Sequence, residues 1–240
     1  MSAGHFPTTA WSMVRAAQDV DGSQQREAMN RWTAAYWRPV FYFIRARGYP
    51  LHRAEDLTQE FFLRFFERDW ISRADQQRGR FRTFLLTILT RFLADQGKHR
   101  ARRQETFDSQ QVAISALLRD SDRSFEPPVH RTPEQIFMRQ WAHSVLAQVQ
   151  HSMESWCAAR GRPDWYRMFL ATYFPGPGRP KFTQDGLAEH LRVSRDQVRY
   201  GLKEVEQKFI EFLRAELADQ VDSPDELDQE IRELRELLGN

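Results

Sequence analysis

From Phe81 to Leu93 the apolar residues Phe81, Phe84, Leu85, Ile88, Leu89, Phe92 and Leu93 recur at the spacing of a single helical face. Almost every other patterned stretch of the chain repeats in the same way. No run alternates β-branched with polar residues, and no Asn-Gly or Asp-Gly joins two such runs into a hairpin. A chain so patterned can bury its apolar residues only by packing helix on helix, and a hydrophobic content of 41% is enough for ordinary cores. The expected fold class is all-α: two helical domains joined by a flexible linker, the second containing a helix-turn-helix.

The helices fall in order. An early one covers residues 9–19. A second runs over 25–47, bent at Pro39 and closed by "RGYP", with Gly48 as the stop. A third covers 53–67, and the Phe81 helix follows the loop "RDWISRADQQRGR". Gly97 is a poor helix former and is expected to end that helix early. From Gln104 to Thr132 the period is lost in "RDSDRSFEPPVHRTP", which reads as linker. Periodicity resumes at Pro133, a residue suited to the first helical position. Helices are expected over 133–160 and 164–174, as a pair between 183 and 218, and over 224–238. The domain boundaries are thus 1–103, a linker 104–132, a second domain 133–221 and an acidic C-terminal helix 222–240.

Net charge is only +2, but it is a cancellation. Between Arg78 and Arg103 stand Arg78, Arg80, Arg82, Arg91, Lys98, Arg100, Arg102 and Arg103 against a single acid, Asp95. From Glu216 to Asn240 nine acids oppose Arg232 and Arg235. The acidic tail also carries an apolar stripe of Leu227, Ile231, Leu234 and Leu238. Shielding the basic helices and docking on the second domain are both open to it. Cys157 is the sole cysteine, which excludes an internal disulfide and points to a reducing compartment. With no signal peptide in view and no apolar run of membrane-spanning length, the expected location is the cytoplasm.

"FTQDGLAEHLRVSRDQVRYGLKEVEQKFIEFL" is the clearest local motif. Leu187, Ala188 and Leu191 form the inner face of a short helix, and Arg192-Val193-Ser194 make the turn. Ser194 with Gln197 three residues on is a capping box that opens the next helix. Val198, Leu202 and Val205 then face inward, leaving Arg195, Asp196, Gln197, Arg199, Tyr200 and Lys203 outside. Such a face suits a DNA major groove, where Arg bridges guanine, Gln bridges adenine and Lys neutralises phosphate. Glycine is usual at position 192, and arginine in a left-handed conformation costs about 1 kcal/mol.

Earlier in the chain, "RAEDLTQEFFLRFFER" is a helix with Leu57, Phe61 and Phe65 inside and Asp56, Gln59, Glu60 and Arg64 on or beside the polar side. "AEDLTQEFF", followed by the basic amphipathic "FRTFLLTILTRFLADQGKHRARR" and later by a helix-turn-helix, resembles a bacterial RNA polymerase sigma factor. The two-domain layout is similar to the extracytoplasmic-function (ECF) group, which keeps regions 2 and 4. The resemblance implies that Asp56, Gln59, Glu60 and Arg64 dock on the clamp helices of the polymerase largest subunit. It implies that Gln76, Gln77, Arg78, Arg80, Arg82, Arg91, Lys98, Arg100, Arg102 and Arg103 meet promoter DNA at the −10 element. Arg195, Asp196, Gln197, Arg199, Tyr200 and Lys203 would meet the −35 element. RNA polymerase core and promoter DNA are the implied partners, and the family often adds an anti-sigma factor or other regulator.

No catalytic constellation is expected. Glu55, Asp56 and Glu60 read as a solvated or partner-binding face, and His143, His151 and Cys157 have neither the spacing nor the fourth ligand of a metal site. The expectation is a protein that is not an enzyme, with no cofactor and no metal. The rival reading is a stand-alone helix-turn-helix repressor or activator, which would dimerise on a symmetric site without polymerase.

Overall fold

The computed structural model describes residues 22–68, 70–74, 79–102, 127–128, 130–175, 182–218, 221 and 223–239. The expected early helix over 9–19 and most of the expected linker lie outside them. The helices are α1 (Gly22–Ala46), α2 (Leu51–Glu67), α3 (Phe81–Arg102), α4 (Pro133–Ala159), α5 (Pro163–Tyr173), α6 (Gln184–Leu191), α7 (Arg195–Ala218) and α8 (Pro224–Gly239), with a 3₁₀ turn at Trp70–Arg73. Among the described residues there is no strand, and no helix is long and apolar enough to cross a membrane.

The helix ends follow from local chemistry. Gly48 takes φ +86°, the left-handed turn after α1 that a side chain would resist, and its N–H donates to the Arg45 carbonyl at 3.0 Å. Pro133 begins α4 behind a reciprocal cap. The Thr132 N–H donates to Gln135 Oε1 at 2.9 Å, and the Gln135 N–H donates to Thr132 Oγ1 at 3.2 Å. Ser223 caps α8, accepting from the Glu226 N–H at 3.2 Å. Pro39 sits inside α1, within the single helix expected there. One element departs from expectation: α3 continues past Gly97 to Arg102. A lone glycine costs only about 1 kcal/mol in a helix, less than the apolar stripe of α3 contributes once buried.

Chain contacts divide the molecule into two compact units. One holds residues 1–144 and 219–240, the other 145–218. The division falls inside α4, later than the sequence boundary at 133, and it places the acidic α8 with the first unit.

The first unit has an aromatic centre. Trp32 of α1 stacks on Phe65 of α2 at 4.7 Å and meets Phe81 of α3 edge-on at 5.5 Å. Trp37 stacks on Phe62 at 5.6 Å, and Phe61 meets Phe92 at 5.6 Å. Such pairs contribute about 0.5–1.5 kcal/mol each beyond the area they bury. Three helices are thereby locked at shared side chains, and of the predicted stripe Phe81, Leu85, Leu89, Phe92 and Leu93 are buried while Phe84 and Ile88 at its edge are half-buried. The start of α4 joins this unit for a physical reason. Phe137 packs edge-on to Phe43 at 6.3 Å, and Glu134 pairs with Arg47 at 2.9 Å.

In the second unit Met153, Cys157, Met168, Phe169, Leu187, Val198, Leu202 and Val205 are buried. Gly201 is the contact point of α7 with α5: a Cβ there would stand 3.0 Å from the Trp165 ring. Burial pushes the Cys157 thiol up to about 11, so it stays protonated and inert at neutral pH.

Candidate macromolecule-binding surfaces

Three polar surfaces carry the residues singled out by sequence. The first is the outer side of α2. Asp56 is exposed and Gln59, Glu60 and Arg64 are half-buried, one helical turn apart along the same side. Glu60 is held from two directions, by Arg64 Nη2 at 2.6 Å and by Gln96 Nε2 of α3, which donates at 2.5 Å. Arg64 lies over the Phe92 ring at 5.5 Å. Glu60 and Arg64 therefore tie α2 to α3, while Asp56 and Gln59 point outward. Leu63 stands beside them and is 62% exposed. Sequence reasoning gave it no role. Its signal was its register, seven residues after Asp56 and four after Gln59.

The second surface is the basic side of α3. Arg91 is exposed, and register puts the backbone positions of Lys98 and Arg102 about two and three turns beyond it on the same side. Arg100 also lies on α3. Gln76, Gln77, Arg78 and Arg103 fall outside the described residues.

Arg80 and Arg82 sit differently from the expected outward face. Arg82 is 3% exposed, with its guanidinium 4.1 Å above the Trp141 ring. Its Nη1 donates to Glu230 Oε1, and its Nη2 lies 3.3 Å from Glu233 Oε2. Arg80 forks onto Glu233, through Nη1 to Oε2 and through Nη2 to Oε1 at 3.0 Å. Arg80 Nη2 is also 3.0 Å from Glu230 Oε2, without the alignment of a hydrogen bond, so that contact is electrostatic.

Glu230 is fully buried within the apolar stripe of α8, between Leu227 and Leu234. A carboxylate there would be prohibitive without these cations. Burial works to lower the Arg80 pKa, but the Glu233 hydrogen bond and the charges of Glu230, Glu233 and Glu226 outweigh it and hold the pKa raised. The Arg80 hydrogen bond in turn holds Glu233 below the usual carboxylate range. Two oppositely charged sequence blocks were legible; their residue-by-residue pairing was not.

The third surface is the exposed side of α7. Arg195, Asp196, Gln197, Arg199, Tyr200 and Lys203 are all exposed, and Val198, Leu202 and Val205 are buried beneath them. The turn before α7 has Arg192 at φ 56°, ψ 43°, a left-handed non-glycine residue. Ser194 and Gln197 form the expected box: the Ser194 N–H donates to Gln197 Oε1 at 2.8 Å, and the Gln197 N–H donates to Ser194 Oγ at 3.2 Å. The Gln197 carbonyl oxygen is thus engaged in capping. Arg195 pairs with Asp185 at 3.3 Å, Arg199 with Asp196 at 3.0 Å, and Tyr200 meets Trp165 edge-on at 5.9 Å. Both ion pairs are exposed, contribute little, and leave the arginines exchangeable with an incoming anion.

Among the described residues no three His, Cys, Asp or Glu side chains gather as metal ligands. The three surfaces instead suit extended charged partners: an outward acid–amide–leucine patch on α2, and cations along α3 and α7.

Compared with models of known families, residues 33–105 match Sigma-70 region 2. The match begins inside α1, takes in α2, and runs past the end of α3. The chain therefore carries a sigma-factor region 2 domain, which supports a part in promoter recognition and transcription initiation. The match leaves α6 and α7 outside. No curated protein and no solved structure matches the chain.

Proposed function

We propose that this chain, with its region 2 domain, is a sigma factor of the ECF type. It brings RNA polymerase core to particular promoters and assists strand separation, while the polymerase performs the chemistry. The observation that carries the reading is the coincidence of the region 2 match with the outer side of α2. Asp56 and Gln59 are presented there beside exposed Leu63, on a helix whose other side is fixed by Phe61, Phe62 and Phe65. A rigid helix with a small apolar centre and a polar rim suits a reversible protein contact on the polymerase clamp helices.

In this reading Arg91 and the basic positions beyond it follow the phosphates near the −10 element. The segment of sequence holding Gln76, Gln77 and Arg78 receives an extruded base, a step that costs a few kcal/mol of unstacking. The helix pair α6–α7 serves as region 4, with Arg195, Arg199 and Lys203 toward the −35 element. Gln197 contributes through its amide nitrogen, since its oxygen holds the cap. An anti-sigma factor or other regulator and a cytoplasmic setting belong to the same reading, and no enzymatic step is assigned to the chain.

The test is reconstitution. Purified protein and core polymerase are mixed, and co-elution and run-off transcription are scored. Co-elution with promoter-dependent transcripts is expected. Tight binding of the free protein to a palindromic duplex, without co-elution, would instead establish a stand-alone repressor or activator.

A further inference from the structure

We propose that α8 is an intramolecular substitute for promoter phosphates: Glu230 and Glu233 occupy the guanidinium groups of Arg80 and Arg82, and DNA must displace them to engage region 2. The inference rests on the assignment of Arg80 and Arg82 to the −10 contact and adds a regulation of that site.

The geometry is that of phosphate capture. Arg80 lies just before α3, its carbonyl accepting from the Thr83 and Phe84 N–H groups at 3.0 and 3.2 Å. Both arginines are thus carried at the start of α3, the helix end at which the macrodipole favours anions. Each carboxylate offers two oxygens to a planar fork, as a phosphate does. Glu233 uses both on Arg80 while one also reaches Arg82; Glu230 gives one oxygen to a hydrogen bond with Arg82 and sets the other in electrostatic contact with Arg80. Two arginines and two anions are matched.

The placement of Glu230 argues for specificity in this match. A helix needing only to cover the domain would carry an apolar residue at the fully buried position between Leu227 and Leu234. The buried acid instead fixes the register of α8 on Arg80 and Arg82. Exchange is feasible because a buried ion pair contributes little net stability over its desolvation cost, while an unpaired buried charge is penalised heavily. Release of α8 into water would leave the arginines without partners. Replacement by phosphate keeps them paired, so DNA lowers the barrier to release.

The experiment uses the full chain and a fluorescein-labelled single strand of mixed sequence. Glu230→Gln/Glu233→Gln keeps side-chain shape and a hydrogen-bond acceptor but removes the two charges. Asp225→Asn/Glu236→Gln changes net charge equally at exposed positions of the same helix. The first variant should bind the strand about tenfold tighter than wild type at about 50 mM salt. Its salt slope should equal that of wild type, because both engage the same phosphates once α8 has left. Adding Arg80→Gln/Arg82→Gln should abolish the gain and, at about 0.7 for each of two phosphates, flatten the slope by about 1.4. An equal gain in the exposed-acid variant, or a slope that the arginine substitutions leave unchanged, overturns the proposal.

Hydrogen exchange on the wild-type chain gives a readout independent of the substitutions. Backbone amides of 224–239 should exchange faster when the strand is bound, while those of α2 do not. Binding with α8 protection unchanged, or no binding by wild type and glutamine variant alike, also overturns it. Co-elution with core polymerase is scored separately. Its absence removes the sigma reading without altering the exchange result, and its presence with α8 still protected on DNA removes the present inference alone.

Discussion

Replacing Glu230 by alanine would strand a buried guanidinium, and the structure sets the size of the effect. Arg82 is 3% and Glu230 0% exposed, so neither group can recover hydration without moving α8. Removing one partner of such a pair costs about 3–5 kcal/mol. Glu233 Oε2 remains 3.3 Å from Arg82 Nη2 and the Trp141 face remains beneath it, so the lower end, about 3 kcal/mol, applies. For a unit of this size that is a fall in Tm of about 6–12 °C.

The double variant Arg82→Met/Glu230→Leu should cost less than about 1 kcal/mol, because an apolar pair of similar volume removes the desolvation penalty along with the attraction. Tryptophan fluorescence in urea, followed for Glu230→Ala, for the single variants Arg82→Met and Glu230→Leu, and for the double, closes the cycle. A loss below about 1 kcal/mol for Glu230→Ala would refute the reasoning, as would single-variant losses that simply add in the double.

Arg192→Gly should stabilise the second unit by about 1 kcal/mol, since the left-handed backbone at φ 56° strains any residue with a Cβ; thermal unfolding measures it. Asp56→Ala/Gln59→Ala should leave the unfolding free energy within about 0.5 kcal/mol of wild type, because these side chains are exposed or half-exposed, yet weaken co-elution with core polymerase. Acidification should loosen α8. Glu233 is held below the usual carboxylate range by the Arg80 hydrogen bond, so its contribution is full above about pH 4.3, the unfolded value, and is lost as pH falls through the folded one. Hydrogen exchange of 224–239 against pH checks this, and Glu233→Gln should flatten the profile.

Much of the fold was legible because helices are local. The stripe of α3, the glycine stop at Gly48, the Ser194–Gln197 box and the Pro133 start each depend on residues within about two turns of one another, and each is where sequence places it. The outward set on α7 follows from the same period. Leu63 was missed although the period puts it on the outer side with Asp56 and Gln59, because polar side chains were sought on that side and an apolar one was not.

The amino-acid sequence by itself determined the all-helical class, most helix ends though not that of α3, the apolar side of the helices, and the opposition of a basic middle to an acidic tail. Tertiary structure alone decided that Arg82 is buried over Trp141 and not turned outward with Arg91. It alone set Glu230 inside an apolar stripe, and placed α8 with the first unit instead of the second. The physical reason is that helical periodicity is a property of neighbours in sequence. Pairing of charges is a property of neighbours in space, and here the partners stand 148 residues apart.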